Sequence, residues 1–439
     1  MSYKESEVME FIEDNDVKFI RLAFCDIFGM QRNISIMPNE LEDAIKYGVK
    51  FDASFMSGFM NIEDSDLYLY PDLKTLSILP WRPQHGRVIR FFCDIKYPDG
   101  RHFEGDGRHI MKSVIDKGRD LGYLFKVGSE CEFYLFELDE NGSPTNIPQD
   151  FASYCDIAPL DKGENIRREI CLILDEMGIE LNNSHHDHGP GQNVINFKIC
   201  GPLSAADNII NFKSVVKTTA STNGLFASFM PKPLANESGS GLHLNFMICK
   251  NELNLFEDPK MVDKETADKF IAGILNRLKE ITLFLNPITN SYNRFGNFQA
   301  PKFITWSKRN LSQLIKVHIR DGEYTNIEVR SSDSSCNPYI ALALIIRAGL
   351  EGIENNLQLC EACDVNLNKI LQKNLNDIDA LPKNLFEAIN LSKNSRFIKS
   401  ILPENVINTY IETKEYEWRK YDARTDKEKV ERELYFLSV

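Results

Sequence analysis

The chain has 439 residues, 43% of them hydrophobic and 26% charged, with a formal net charge of −13. That length suits two or three domains rather than one small core, and the acidic balance argues against nucleic acid or an anionic membrane as a general partner, since binding to phosphate needs a basic surface. No apolar run approaches the ~20 residues of a membrane-spanning helix, and Met1 to Asp16 is too acidic for a signal peptide, so a cytoplasmic protein is expected.

In chain order, the first hundred residues read mainly as short strands. Val17, Phe19, Arg21 and Ala23 alternate with Lys18, Ile20, Leu22 and Phe24, as in a strand with two different faces. Thr75 to Leu79 and Arg87 to Asp94 read as further strands, and Pro98-Asp99-Gly100 is a turn signal. A small, mostly β domain over residues 1–105 is expected, followed by a larger unit over 106–439. In Gly163 to Met177 the apolar residues Ile166, Ile170, Ile173, Leu174 and Met177 form a helical stripe. Ala205 to Thr222, Lys264 to Phe284 and Pro338 to Glu354 also read as helices. Phe133 to Phe136, Asn193 to Ile199, Gly241 to Ile248 and Asn326 to Arg330 read as strands between them. Long helices among antiparallel-looking strands predict an α+β catalytic domain. From about residue 380 the pattern is helical, closing on an apolar tip, Tyr435, Phe436 and Leu437, expected to dock. Ten scattered cysteines fit reduced thiols, and the lone Cys360/Cys363 pair lacks the two further ligands zinc needs.

Four clusters could carry chemistry. Glu130 and Glu132 open a strand and share a face. They are either solvated or held together by a hard divalent cation. Ser184-His185-His186-Asp187-His188 is either a polar loop or a metal-binding group. Glu237-Ser238-Gly239-Ser240-Gly241-Leu242-His243 is either a flexible surface loop ending in a core histidine or a cradle whose small residues admit a ligand to the backbone. Ile327-Glu328-Val329-Arg330 puts Glu328 and Arg330 on one face of a strand, either as a surface ion pair or as part of a site.

These pieces, in this order and spacing, resemble type I glutamine synthetases over essentially the whole chain. The match also runs through Lys18-Phe19-Ile20-Arg21-Leu22, Asp26-Ile27-Phe28-Gly29, Ser65 to Leu73, Phe103-Glu104-Gly105-Asp106, Phe229 to Leu234, Asn290-Ser291-Tyr292, Trp306-Ser307 and Asn337-Pro338-Tyr339. The resemblance implies a β-grasp N-terminal domain and a glutamine synthetase/guanido-kinase-like catalytic domain. It implies a homo-oligomer of two stacked hexameric rings, with active sites between neighbouring subunits. It implies two divalent ions, Mg²⁺ or Mn²⁺, and a reaction in which glutamate is phosphorylated by ATP before ammonia displaces the phosphate. By motif position, Glu130, His243 and Glu328 would hold one metal, and Glu132 and Asp187 part of the second. Gly239, Arg294 and Arg330 would bind glutamate, and Asp52 the ammonium. Trp306, Ser307 and Lys316 fall in the nucleotide region.

The departures have a direction. Val194 stands where the second metal's third carboxylate is expected, and Gln299 where the flap over the site ends in a catalytic Glu. Leu311, Lys316 and Asn326 replace arginines that face phosphate, and Met247 replaces a nucleotide-contacting Ser. Ser238 replaces an Asn, and Asn61 an Arg used in feedback regulation by relatives. Removing one preorganised charged group costs ~10²–10³ in rate. ATP handling is therefore expected to be weakened. Three activities stay open: a slow glutamate–amine ligase, an inactive paralogue that senses glutamate or glutamine or co-assembles with an active synthetase, and a metal-dependent enzyme on a glutamate-like substrate without ATP.

Overall fold

The computed structural model describes residues 4–60, 62, 64–81, 85–250, 253–255, 263–320, 323–365, 367 and 378–439; Asn61 lies outside them. The alternation read in the first strand is real: in β1 (Val17–Cys25), Ile20, Leu22 and Phe24 are buried on one face, while Phe19 points away and is 44% exposed. Five further strands complete this sheet: β2 (Gln31–Ile36), β3 (Val49–Asp52), β4 (Asp66–Pro71), β5 (Ser77–Ile78) and β6 (Arg87–Lys96), in the order β2–β1–β6–β4–β3 with β5 also on β6. β1 and β6 run parallel, the other pairs antiparallel. Two helices depart from the strand-rich expectation, α1 (Glu5–Asp14) and α2 (Leu41–Tyr47). α1 buries only Val8 and Ile12, too thin a stripe to register as a period. The strand expected over 75–79 shrinks to β5 because Leu73–Thr75 is a 3₁₀ turn capped by the Asp72 carboxylate.

The second sheet is organised on one long strand, β7 (Tyr123–Leu138), of which sequence reading recovered only the centre. The others are β8 (Pro144–Pro148), β9 (Leu181–His186), β10 (Gln192–Phe197), β11 (Leu225–Ser228), β12 (Leu242–Lys250), β13 (Leu253–Asn254), β14 (Trp306–Ser307), β15 (Ile315–Arg320) and β16 (Glu323–Val329). Their main order is β14–β15–β16–β12–β7–β10–β9. The helices are α3 (Gly107–Asp120), α4 (Glu164–Glu176), α5 (Pro202–Thr222), α6 (Lys264–Leu285), α7 (Pro338–Glu354), α8 (Leu385–Lys393), α9 (Arg396–Lys399), α10 (Glu404–Asp422) and α11 (Lys427–Glu431). α3 starts at Asp106, whose carboxylate accepts from the Arg108 amide, and α7 at Asn337, whose side chain accepts from Tyr339 and Ile340. α6 and α7 approach until Gly273 and Gly352 nearly touch; a Cβ on Gly273 would lie 2.2 Å from the Ala348 carbonyl. Tyr435 and Phe436 of the C-terminal tip are buried, and the Phe436 ring packs against Phe136 and Phe226, although Leu437 stays exposed.

The two sheets meet across a buried ionic knot. Arg108 of α3 is 2% exposed and pairs with Asp72 and Asp94 from the first sheet region and with Asp207 of α5. A guanidinium so deeply buried is tolerable only when it is paired. Among the described residues, no helix is long and apolar enough to cross a membrane.

Candidate functional site

One face of the second sheet packs on helices; Phe133 of β7 meets Phe212 of α5 there. The other face floors a cavity of about 730 Å³. The alternation along β7 sends Glu130 and Glu132 to this open side while Cys131 and Phe133 are buried beneath. Strand register does the rest. Glu130 lies directly opposite His243 on β12, Asn245 opposite Glu328 on β16, and Glu328 opposite Lys316 on β15. Acids and an imidazole from three adjacent strands therefore share the open face, with Glu328 and its neighbour Lys316 two residues along from the Glu130–His243 pair.

His243 Nδ1 lies 2.8 Å from Glu130 Oε1 and 3.5 Å from Glu328 Oε1, and its Nε2 is 3.7 Å from Glu132 Oε1. Single ligand atoms of Glu130, Glu132 and His243 all fall within 4.8 Å of one another. Mixed carboxylate and imidazole donors at this spacing fit a divalent cation. Electrostatics point the same way. Burial, with Asp187 and Glu130 nearby, pushes the Glu132 carboxyl up to about 7. Burial, reinforced by Glu130, also raises Asp187. For Glu130, burial works upward too, but the His243 hydrogen bond and charge outweigh it and the net shift is downward. Glu328 is likewise buried, yet the His318 hydrogen bond, Arg330 and His243 hold it well below the usual carboxylate range. So many acids in a buried space repel unless a cation joins them.

Behind these acids sit the two arginines. Arg330 Nη1 donates to Glu328 Oε1 at 2.5 Å, and both residues are buried, which rules out the surface ion pair. Arg294 follows a 3₁₀ turn (Thr289–Asn293) and donates from Nη2 to the Ser331 and Ser332 carbonyls. The Nε atoms of both arginines are buried without a partner. Burial lowers the Arg294 pKa. Gly239 and Gly241 make room for this: a Cβ on Gly241 would lie 2.5 Å from Arg294 Nη1 and 2.9 Å from His243 Nε2. The glycine loop is pinned rather than flexible. Tyr134 donates to the Ser238 carbonyl at 2.5 Å, Gln192 to the Gly239 carbonyl at 3.1 Å, and the Gly241 amide to Glu132 Oε2 at 2.7 Å.

Of the residues singled out from the sequence, Glu130, Glu132, Asp187, Gly239, His243, Arg294, Gln299, Lys316, Glu328 and Arg330 line this cavity. Asp52, Trp306 and Ser307 do not. Asp52 is exposed, its carboxylate capping the turn at Ser54. Ser307 accepts from the Arg309 and Asn310 amides and donates to Asp364. Trp306 is buried, its indole bonded to the Cys360 carbonyl. The His-rich segment 184–188 divides, because most of it is strand rather than loop. His185 and His188 reach the cavity, while His186 is buried on Asp150 at 2.9 Å. Together with Asp161, His186 and Asp150 make a second cluster of possible metal donors, but Arg167 already neutralises Asp161.

The two flanks of this floor are different in kind. Val194 of β10 pairs with Glu132 and is 2% exposed, so an isopropyl group faces the acids there. At the other flank, the β15 end, Leu311 lines the cavity at 38% exposed together with Lys316. Asn326 turns aside to Asn245 at 2.6 Å, and Met247 lies outside the lining. The Gln299 amide is 3.3 Å from His188 Nε2, with the His188 ring stacked on Tyr154. Sequence reading missed His318, whose Nε2 lies 2.7 Å from Glu328 Oε2. The signal was available: His318 is two residues beyond Lys316 on the same strand and shares its face.

Comparison with known proteins agrees with this layout. The family profile described as "Glutamine synthetase, catalytic domain" matches residues 104–435, and "Glutamine synthetase, beta-Grasp domain" matches residues 16–98. A glutamine synthetase of Clostridium saccharobutylicum is 44% identical over 427 residues, 96% of each chain, and one of Methanosarcina mazei is 42% identical over 424 residues, 95% of each. Among solved structures, a GmaS/ADP complex superposes with a TM-score of 0.86 at 27% identity, covering 99% of each chain. A Plasmodium falciparum glutamine synthetase does so at 0.83 and 24% identity, again over 99% of each, a likeness of fold.

Proposed function

Since the chain belongs to the glutamine synthetase family, we propose that its cavity binds a glutamate-class amino acid beside a divalent cation and joins it to ammonia or another amine in an ATP-dependent reaction slowed by missing phosphate contacts. The observation that carries this reading is the pair of buried, unpartnered Nε atoms on Arg294 and Arg330 beside the Glu130–Glu132–His243 donor group. A planar guanidinium with a free edge suits a carboxylate. Glu130, His243 and Glu328 would hold one Mg²⁺ or Mn²⁺, with Glu132 and Asp187 offering a partial second site. When bound, such an ion neutralises charge developing on a transferred phosphoryl group. Arg294, Arg330 and the Gly239 backbone would fix the amino acid's ends.

On the phosphate side the fit is poor. Lys316 is a cation at the β15 flank, and Val194 and Leu311 offer nothing to an anion. Gln299 can orient an amine but cannot take its proton. We place the carboxylate for that task on Asp52 of a neighbouring copy in a stacked-ring homo-oligomer, because Asp52 is exposed and outside its own chain's cavity. In this reading the β-grasp unit spans 1–105, the catalytic unit 106–439, and the protein works in the cytoplasm.

Val194 and Leu311 also favour a second reading, a paralogue that binds the amino acid without ligating it and senses it or assembles with an active enzyme. One pair of measurements separates the two: phosphate release with Mg²⁺ or Mn²⁺, ATP, glutamate and a panel of amines, and calorimetry with glutamate alone. Glutamate-dependent release supports the ligase. Binding without release supports the sensor. Neither binding nor release defeats both.

A further inference from the structure

The C-terminal segment reaches the back of the catalytic cavity without lining it. α11 ends on Glu431, which is 3% exposed. Among the described residues no cation lies within ion-pair distance of its carboxylate, and the guanidinium of the next residue, Arg432, rests over the Phe436 ring at 3.8 Å. Two side-chain amides hold Glu431 instead. Asn290 Nδ2 donates to Oε2 at 2.7 Å, and Asn293 Nδ2 donates to Oε1 at 3.1 Å and to Oε2 at 2.9 Å. Burying a carboxylate among neutral partners is costly. A carboxylate is nevertheless the side chain that fits here, because it offers two acceptor oxygens and no donor to oppose either amide.

Each amide leads to a different part of the cavity. Asn290 brackets the Lys232 peptide: its Oδ1 accepts from the Lys232 amide at 2.6 Å, and its Nδ2 also donates to the Lys232 carbonyl at 3.0 Å. The adjoining Pro231 carbonyl accepts from the Ser240 amide of the glycine loop at 2.8 Å, and the Lys232 ammonium donates to the Glu237 carbonyl at the start of that loop. Asn293 directly precedes Arg294, and its carbonyl accepts at 2.9 Å from the side chain of Asn297, which lines the cavity. The two parts also press on each other: a Cβ on Gly239 would lie 2.6 Å from the Pro231 carbonyl and 2.7 Å from Arg294 Cγ. Loop and arginine therefore have little slack between them, and one carboxylate behind the cavity is tied to both.

We propose that Glu431 is a positioning residue for the amino-acid substrate, fixing the glycine loop and Arg294 relative to each other through Asn290 and Asn293. The proposal rests on the roles given above to Gly239 and Arg294 at the ends of a glutamate-class amino acid. Small misplacements of binding groups are expensive, and none of the groups in this tie belongs to the β15 flank, so the effect of losing it falls on the amino acid rather than on ATP.

The test combines hydrogen–deuterium exchange on the ligand-free full chain with glutamate calorimetry and phosphate release. In Glu431→Ala, exchange should rise in both 231–241 and 289–300 and stay at the parent level in β7. Glutamate affinity should fall about tenfold or more, and KM for glutamate should rise while KM for ATP holds. Glu431→Gln, which keeps one acceptor oxygen, should fall between Glu431→Ala and the parent. Glu428→Gln, an exposed acid on the same helix, controls for charge and should match the parent. If Glu431→Ala does not fold, Asn293→Ala at an exposed position severs one branch and should raise exchange in 289–300 and weaken glutamate binding. Unchanged exchange in either segment, an equal rise in β7, or parental glutamate affinity in Glu431→Ala overturns the proposal. A parent that binds no glutamate defeats the reading of the cavity instead, and the exchange pattern alone then upholds or overturns the tie.

Discussion

The centre and the flanks of the sheet that floors the cavity have been treated differently. On the central strands β7, β12 and β16 the acids are held by their neighbours: Glu130 by His243, Glu132 by the Gly241 amide, Glu328 by Arg330 and His318. On the two flanks the side chains are either inert in the core, as Val194 of β10 is, or partly out in solvent, as Leu311 and Lys316 at the β15 end are. The contrast teaches where change is cheap. Removing one member of a buried charge network strands its partner, so the Glu–His–Arg network of the central strands is tied to folding itself. An arginine that reaches into solvent toward phosphate can be lost with little cost to the fold.

The sharpest way to break this comparison is Arg330→Ala. It strands Glu328, and denaturant unfolding should show a loss of ~3–5 kcal/mol; a near-neutral result would mean that the network is not self-supporting. Next in size, restoring Val194→Glu and Leu311→Arg together should raise glutamate-dependent phosphate release by ~10² or more. No gain in a folded variant would show that these losses are not limiting. A smaller effect concerns pH. Glu132 is raised from an ordinary 4.5 to about 7 by burial among acids, so the native state holds its proton more tightly than the unfolded chain does. Its contribution to stability is therefore present below about pH 4.5 and lost as pH rises through about 7. In metal-free protein the melting midpoint should fall over that window, Mn²⁺ should restore it at the alkaline end, and Glu132→Gln should flatten the slope. Smallest of all, Leu311→Ala should shift stability by less than ~0.5 kcal/mol, in contrast to Arg330→Ala.

The same contrast governs what could be read from sequence. Glu130 and Glu132 were legible as a same-face pair because i, i+2 spacing on a strand fixes their direction, although that spacing alone left them either solvated or cation-bound. α7 was legible at both ends, since Pro338 follows a capping Asn337 and the apolar period is unbroken. β7 was not, because a strand of 16 residues buried along most of its length has no clean alternation. His318 was missed because its meaning depends on Glu328 lying across the β15–β16 pair, a matter of register rather than local pattern. The fate of the His-rich segment was hidden for the same reason: only pairing of β9 with β10 sends His185 and His186 to opposite faces.

Gly241 holds a consequence for anyone seeking to redesign this protein. Because a single methyl there would collide with both Arg294 and His243, those two side chains cannot be retuned one substitution at a time. Directed evolution that randomises this loop should return mostly dead clones. Libraries placed at Val194, Leu311, Lys316 and Gln299 should stay soluble, so the accessible routes to a new specificity lie at the edges of the cavity rather than at its centre.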